Sequence, residues 1–203
     1  MVESICHTSP SMELFGETEI AAASSVGLLV LGLGNVLCGD DGAGPAVVSR
    51  LAAGWDTPIG TRVSDGGTLG LSLLALLSDC ESVILVDAVR VPGLAPGTLV
   101  RLIGEQVPAA ARDQLSVHQV GVADLLEALH LLGRTPRKVV LLGVVPASVD
   151  LAYGCTPAVA EALDDLAGTV VAEAAAQGFF FRPRRDRDAQ DPFVRLPAHA
   201  LVV

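Results

Sequence analysis

Three runs of seven to nine residues with almost no polar side chain recur along this chain: GLLVLGL at 27–33, SVILVDAV at 82–89 and KVVLLGVVP at 138–146. A strand with one wet face alternates apolar and polar residues, whereas a strand covered on both faces does not. Runs this short and this uniform require a sheet sandwiched between helices. Their separation of about 50 residues leaves room for the crossovers that parallel strands need.

The segments between them supply the covering layers. A helix is predicted over 43–53, ending near Gly54, then a short strand at 61–64 and a helix within LSLLALLSD, 71–79. PGTLVRLI, 96–103, follows a Pro/Gly turn and reads as an antiparallel edge strand. Val122, Leu125, Leu126, Leu129 and Leu132 mark one face of a helix. Thr156 and Pro157 are suited to the N-cap and first position of a long helix, with Val159, Leu163, Leu166 and Val170 on one stripe and Gly178 as its stop. The order β-α-β-α-β-β-α-β-α predicts a three-layer α/β/α sandwich around a mostly parallel, mixed sheet of about five strands. Five Phe, one Tyr and one Trp among 203 residues fit that fold better than an aromatic-rich barrel or sandwich.

That length predicts a single domain, placed at 26–180. Residues 1–25 lack periodicity and are expected to form an extension, with Met12 as an alternative start. The Arg/Pro-rich tail, 181–203, is expected to lie outside the fold, except where Phe179 to Phe181 dock on it. Residues 20–37 are apolar enough to suggest a membrane segment. The SSVG and GLG interruptions, the acidic flank and the lack of a basic leader argue for a buried strand.

A net charge of −10 excludes a general nucleic-acid binder, because a phosphate backbone would be repelled. Cys6, Cys38, Cys80 and Cys155 form no CxxC pair, which predicts neither a disulfide framework nor a structural zinc site and points to a reducing cytoplasm.

In sheets of this kind ligands bind beyond the carboxyl ends of the strands. Asp40 and Asp41 lie in the loop GNVLCGDDGAGP after the first strand, Asp87 ends the central strand, and Asp65 opens DGGTLG after the second. His118, preceding a helix, can reach the same edge if its loop folds back. Two carboxylates and an imidazole suit a divalent transition metal with open positions. Each residue also has a structural reading. Asp41 suits an N-cap or first-turn acid, Asp40 a solvated loop, Asp65 a turn before Gly-Gly and His118 a satisfied structural imidazole. Asp87, a carboxylate among Val and Ile, needs a partner or a function. Dinucleotide binding is excluded in detail: the third glycine of the fingerprint would fall on Leu37, no Lys-Ser/Thr pair completes a P-loop, and the adjacent acids would repel pyrophosphate.

GLGNVLCGDDGAGP, SDGGTLG, ILVDAVRV…APGTL, VHQVGVADLLEAL and LLGVVPASVDLAYGCTPAV, in this order and spacing, resemble the hydrogenase maturation proteases over about residues 27–178. The resemblance implies an α/β/α endopeptidase that trims the C-terminus of the precursor of a [NiFe] hydrogenase large subunit, its partner. It implies a metal site at Asp41, Asp87 and His118, the metal being nickel supplied by the precursor, and no serine or cysteine nucleophile. Asp65 and Asp40, spare in that ligand set, are the candidate catalytic carboxylates for activating water. A monomeric cytoplasmic enzyme, with no nucleic acid and no membrane insertion, is expected. A nickel-dependent chaperone that holds the precursor without cutting it is the alternative.

Overall fold

The computed structural model describes residues 26–68, 70–107 and 122–184. The extension at 1–25 and most of the tail lie outside the described residues, as does His118. The described chain runs β1 (Val26–Leu33), a 3-10 turn (Gly39–Gly42), α1 (Ala43–Gly54), β2 (Trp55–Asp56) and β3 (Thr61–Gly67). A second 3-10 turn (Gly70–Leu73), α2 (Leu74–Ser78), β4 (Cys80–Ala88) and β5 (Leu99–Ile103) follow, then α3 (Val122–Leu131), β6 (Lys138–Val144), α4 (Pro157–Ala176) and β7 (Arg182–Pro183).

The main sheet has the order β3-β1-β4-β6-β5, parallel except for β5, which runs antiparallel to β6 at one edge. The predicted sandwich and its antiparallel edge are both present. Two apolar cores lie on the two faces, fixed by the alternation of side chains along each strand. Leu28, Val30, Ile84, Val86 and Leu142 face Val47 and Leu51 of α1 and Val159, Leu163 and Leu166 of α4. Leu29, Leu31, Leu85 and Leu141 face Leu77 of α2 and Leu125, Leu126 and Leu129 of α3. Most apolar side chains of the three runs thus find a core on one side or the other, which is why those runs do not alternate.

Several boundaries differ from expectation for local reasons. The second strand continues past residue 64 to Gly67, so Asp65 sits on a strand end. Leu132 is exposed because α3 stops at Leu131 and Gly133 turns the chain with φ +65°. The helix within 71–79 forms as a 3-10 turn and five α-helical residues.

The tail is part of the fold as far as Arg184. Phe181 is buried against the α1/α4 core and Phe179 packs on it. Arg182 and Pro183 pair with Asp56 and Trp55, and the Arg184 Nε donates to Asp56 Oδ1 at 2.9 Å. The expected docking of Phe179 to Phe181 occurs through Phe179 and Phe181, which carry the chain back against this core just past the helix stop.

Edge strand β5 is tied down by a buried carboxylate on α4. Glu173 accepts from Lys138 Nζ of β6 at 3.0 Å, Arg101 Nε of β5 at 2.9 Å and Gln177 Nε2 at 3.0 Å. Burial pushes the Glu173 carboxyl upward, but the hydrogen bonds from Lys138, Arg101 and Gln177 outweigh it and hold it below its ordinary range.

Candidate functional site

The first candidate residues follow β1 directly. The chain leaves Leu33 through Gly34, whose φ of +122° only glycine takes without strain. A side chain there would also overlap the Asp41 carbonyl oxygen. Gly44 is equally constrained, because a Cβ would run into the carbonyl oxygens of Leu33 and Val86. These two glycines let the 3-10 turn and the start of α1 sit directly on the carboxyl ends of β1 and β4.

Asp41 lies in that turn, before the helix. The N-cap of α1 is Gly42 and makes no side-chain cap bond, so the capping role suggested for Asp41 does not occur. Instead its Oδ2 accepts from the Asn35 N–H at 2.8 Å, closing the loop on itself. That bond fixes the carboxylate at the sheet edge.

Asp87 ends β4 and is 1 % exposed. Its Oδ1 accepts from the Ala88 N–H at 2.8 Å, and it has a further interaction besides. Across the sheet it pairs with Gly143 of β6, where a side chain would collide with Val89. Asp41 and Asp87 are therefore both at the carboxyl edge, each with one oxygen held by a backbone N–H. Among the described residues no group of three His, Cys, Asp or Glu is placed to hold a metal; the third ligand of the expected set, His118, falls outside them.

Asp40 departs most from expectation. It is 0 % exposed, not a solvated loop residue. Its Oδ2 accepts from the N–H groups of Ala147 at 2.7 Å and Ser148 at 3.1 Å and from the Thr156 hydroxyl at 2.9 Å. Its Oδ1 accepts from the Thr156 N–H at 2.6 Å. Four donors engage a group with about four acceptor sites. Asp40 thus pins the loop after β6 and the start of α4 to the loop after β1. Thr156 sits at the N-cap of α4 as predicted, ahead of Pro157, but its hydroxyl serves Asp40 and caps nothing. Nothing local in the sequence signals this, since Asp40 and Thr156 are 116 residues apart.

Asp65 ends β3 with an exposed side chain whose Oδ1 accepts from the Gly67 N–H at 2.8 Å. In register it faces Gly32 of β1, which itself pairs with Val86 of β4. Asp65 is therefore nearly level with Asp87 along the strands. Parity separates them: Asp65 follows Val63, which packs on the α1/α4 core, whereas Asp87 lies between Leu85 and Val89 of the α2/α3 core. Asp87 and Asp65 thus lie at the same edge of the sheet but on opposite faces.

Comparison with known proteins agrees with this architecture. A family model described as hydrogenase maturation protease matches residues 45–173, a span that begins just after Asp41 and includes Asp65, Asp87 and His118. The chain is 36% identical over 157 residues to the hydrogenase 2 maturation protease of Escherichia coli K12, covering 77% of this chain and 96% of that protein. It is 39% identical over 153 residues to the hydrogenase expression/formation protein HupD of Rhodobacter capsulatus, covering 74% of this chain and 72% of the relative. Among solved structures it is similar to the hydrogenase maturating endopeptidase HybD from Escherichia coli, with a TM-score of 0.74 and 36% identity over 78% of this chain and 98% of that one.

Proposed function

The chain belongs to the hydrogenase maturation protease family, a peptidase family, and we propose that it removes a C-terminal peptide from the nickel-loaded precursor of a [NiFe] hydrogenase large subunit, in the cytoplasm. The observation that carries this reading is the placement of Asp41 and Asp87 at one edge of the sheet, each oriented by a backbone N–H. Oxygen ligands of this kind, with one imidazole, fit a borderline divalent ion.

In this reading Asp41, Asp87 and His118 hold the precursor's nickel, which supplies a fixed positive charge by which the loaded precursor is told from the empty one. The work of this chain is then to orient. The Asn35 and Ala88 N–H groups fix the two carboxylates. Asp40 has no acceptor site to spare for water, so of the two spare carboxylates only Asp65 is open to a substrate.

The test is incubation of the purified chain with a nickel-loaded precursor, followed by intact mass spectrometry of the large subunit. Loss of a discrete C-terminal peptide is expected. An unchanged mass within a stable complex would make the chain a chaperone, and no complex at all would remove the reading altogether.

A further inference from the structure

Asp65 faces a groove that Asp41 and Asp87 do not line. The groove has a volume of about 410 Å³, within the range of built ligand sites. It is lined by Asp65, by Pro45, Ser49 and Arg50 of α1, and by Tyr153 and Ala160 beside and in the first turn of α4. Gly39 and Gly42, on either side of Asp40 and Asp41, also line it. The groove is thus continuous with the Asp41 loop while lying on the other face of the sheet.

Its charge is one-sided. Arg50 is already committed, donating through Nε to Asp164 Oδ1 at 3.0 Å and through Nη1 to the Ala46 carbonyl at 3.2 Å. Asp65 has one oxygen on the Gly67 N–H and the rest of its carboxylate exposed. The uncompensated charge in an otherwise apolar groove is therefore negative and lies at Asp65. The rim is apolar and solvent-facing: Tyr153 is 68 % and Val36 42 % exposed. The two rim segments are held together where Cys38 pairs with Ala152, with the Ala152 N–H donating to the Leu37 carbonyl at 3.0 Å. A large exposed aromatic on a braced rim is the kind of residue that anchors a partner.

We infer that this groove seats an extended, apolar segment of the precursor with a cationic side chain paired to Asp65, so that Asp65 positions the substrate instead of activating water. This rests on reading the chain as a precursor-processing peptidase. A negative charge at Asp65, apolar walls elsewhere and the shared lining by the Asp41 loop select a peptide of that chemistry over an anionic ligand.

The test uses the full chain and nickel-loaded precursor, with precursor binding followed by interferometry and processing by mass spectrometry. Tyr153→Ala and Ala160→Trp change exposed side chains and should leave the fold intact, as checked by circular dichroism. Each is expected to weaken precursor binding about tenfold and raise KM in step, with kcat changed less than about twofold. Asp65→Lys should weaken binding by about tenfold or more, Asp65→Glu should retain it, and Asp65→Lys should regain it with a precursor whose paired cationic side chain is changed to Glu. Unchanged binding by Tyr153→Ala and Ala160→Trp would overturn the inference, as would an Asp65→Asn variant that binds normally but does not cut. So would groove variants that only dissociate a self-associated form in ultracentrifugation, since the occupant would then be a second copy. Binding without cleavage by the unaltered chain would refute the peptidase reading while leaving the groove still measurable.

Discussion

Replacing Asp40 by asparagine changes one atom and one charge, and it separates a structural carboxylate from a chemical one. The aspartate accepts three hydrogen bonds on Oδ2, from the Ala147 and Ser148 N–H groups and the Thr156 hydroxyl, and one on Oδ1 from the Thr156 N–H. In the better of its two orientations asparagine keeps its oxygen toward the three donors and turns its NH2 toward the Thr156 N–H. Two donors then face each other in a fully buried site. Each unsatisfied group costs about 1–3 kcal/mol, and the three bonds that survive lose the strengthening of an ionised acceptor. The sum is a destabilisation of about 3–5 kcal/mol, a large part of the stability of an ordinary domain. For a chain of this size that lowers Tm by about 10 °C. The assay is urea and thermal unfolding together with amide exchange, and the protection lost first should be at 147–156, where the pinned loop meets α4. An Asp40→Asn variant that melts and exchanges like the unaltered chain, yet fails to process the precursor, would refute the structural assignment and return Asp40 to the chemistry.

Two further outcomes test other parts of the account. Glu173 has a carboxyl held below its ordinary range when folded, so its contribution is present above the unfolded Glu pKa of about 4.3 and is lost as pH falls through the lower folded value. Stability measured by urea unfolding should therefore drop below about pH 5, and Glu173→Gln should flatten that part of the curve. Gly34→Ala forces a Cβ onto the Asp41 carbonyl at a φ of +122°. It should cost about 2 kcal/mol or more and weaken precursor binding through the displaced Asp41 loop; a variant with unchanged Tm and binding would show that this turn is not constrained.

What could be read from the sequence follows from the range over which each signal acts. Buried parallel strands announce themselves because both faces demand apolar side chains, as VGLLVLGL and KVVLLGV show once the interruptions around the first are weighed against a membrane segment. The antiparallel edge was legible from the Pro/Gly turn before Leu99. Asp65 on the end of a strand was not, because DGG reads as a turn and nothing local shows that β1 extends the pairing to Gly67. The buried role of Asp40 was hidden for the same reason, since its donors come from a loop and a helix start more than a hundred residues away. Glu173 could have been suspected: it falls one turn beyond Val170 on the apolar stripe of α4, where a carboxylate needs partners. The separation of Asp65 from Asp87 needed only strand parity, and that becomes usable once the register of β3 against β1 is known.

The central claim is that Asp41, Asp87 and His118 form the site at which a nickel-loaded large-subunit precursor is recognised and cut. Intact mass spectrometry of that precursor, incubated with the unaltered chain and with Asp87→Ala and His118→Ala variants whose folding is checked by circular dichroism, tests it most directly. The account predicts loss of one C-terminal peptide with the unaltered chain and an uncut precursor with either variant. Near-normal cutting by a folded Asp87→Ala or His118→Ala chain would contradict it.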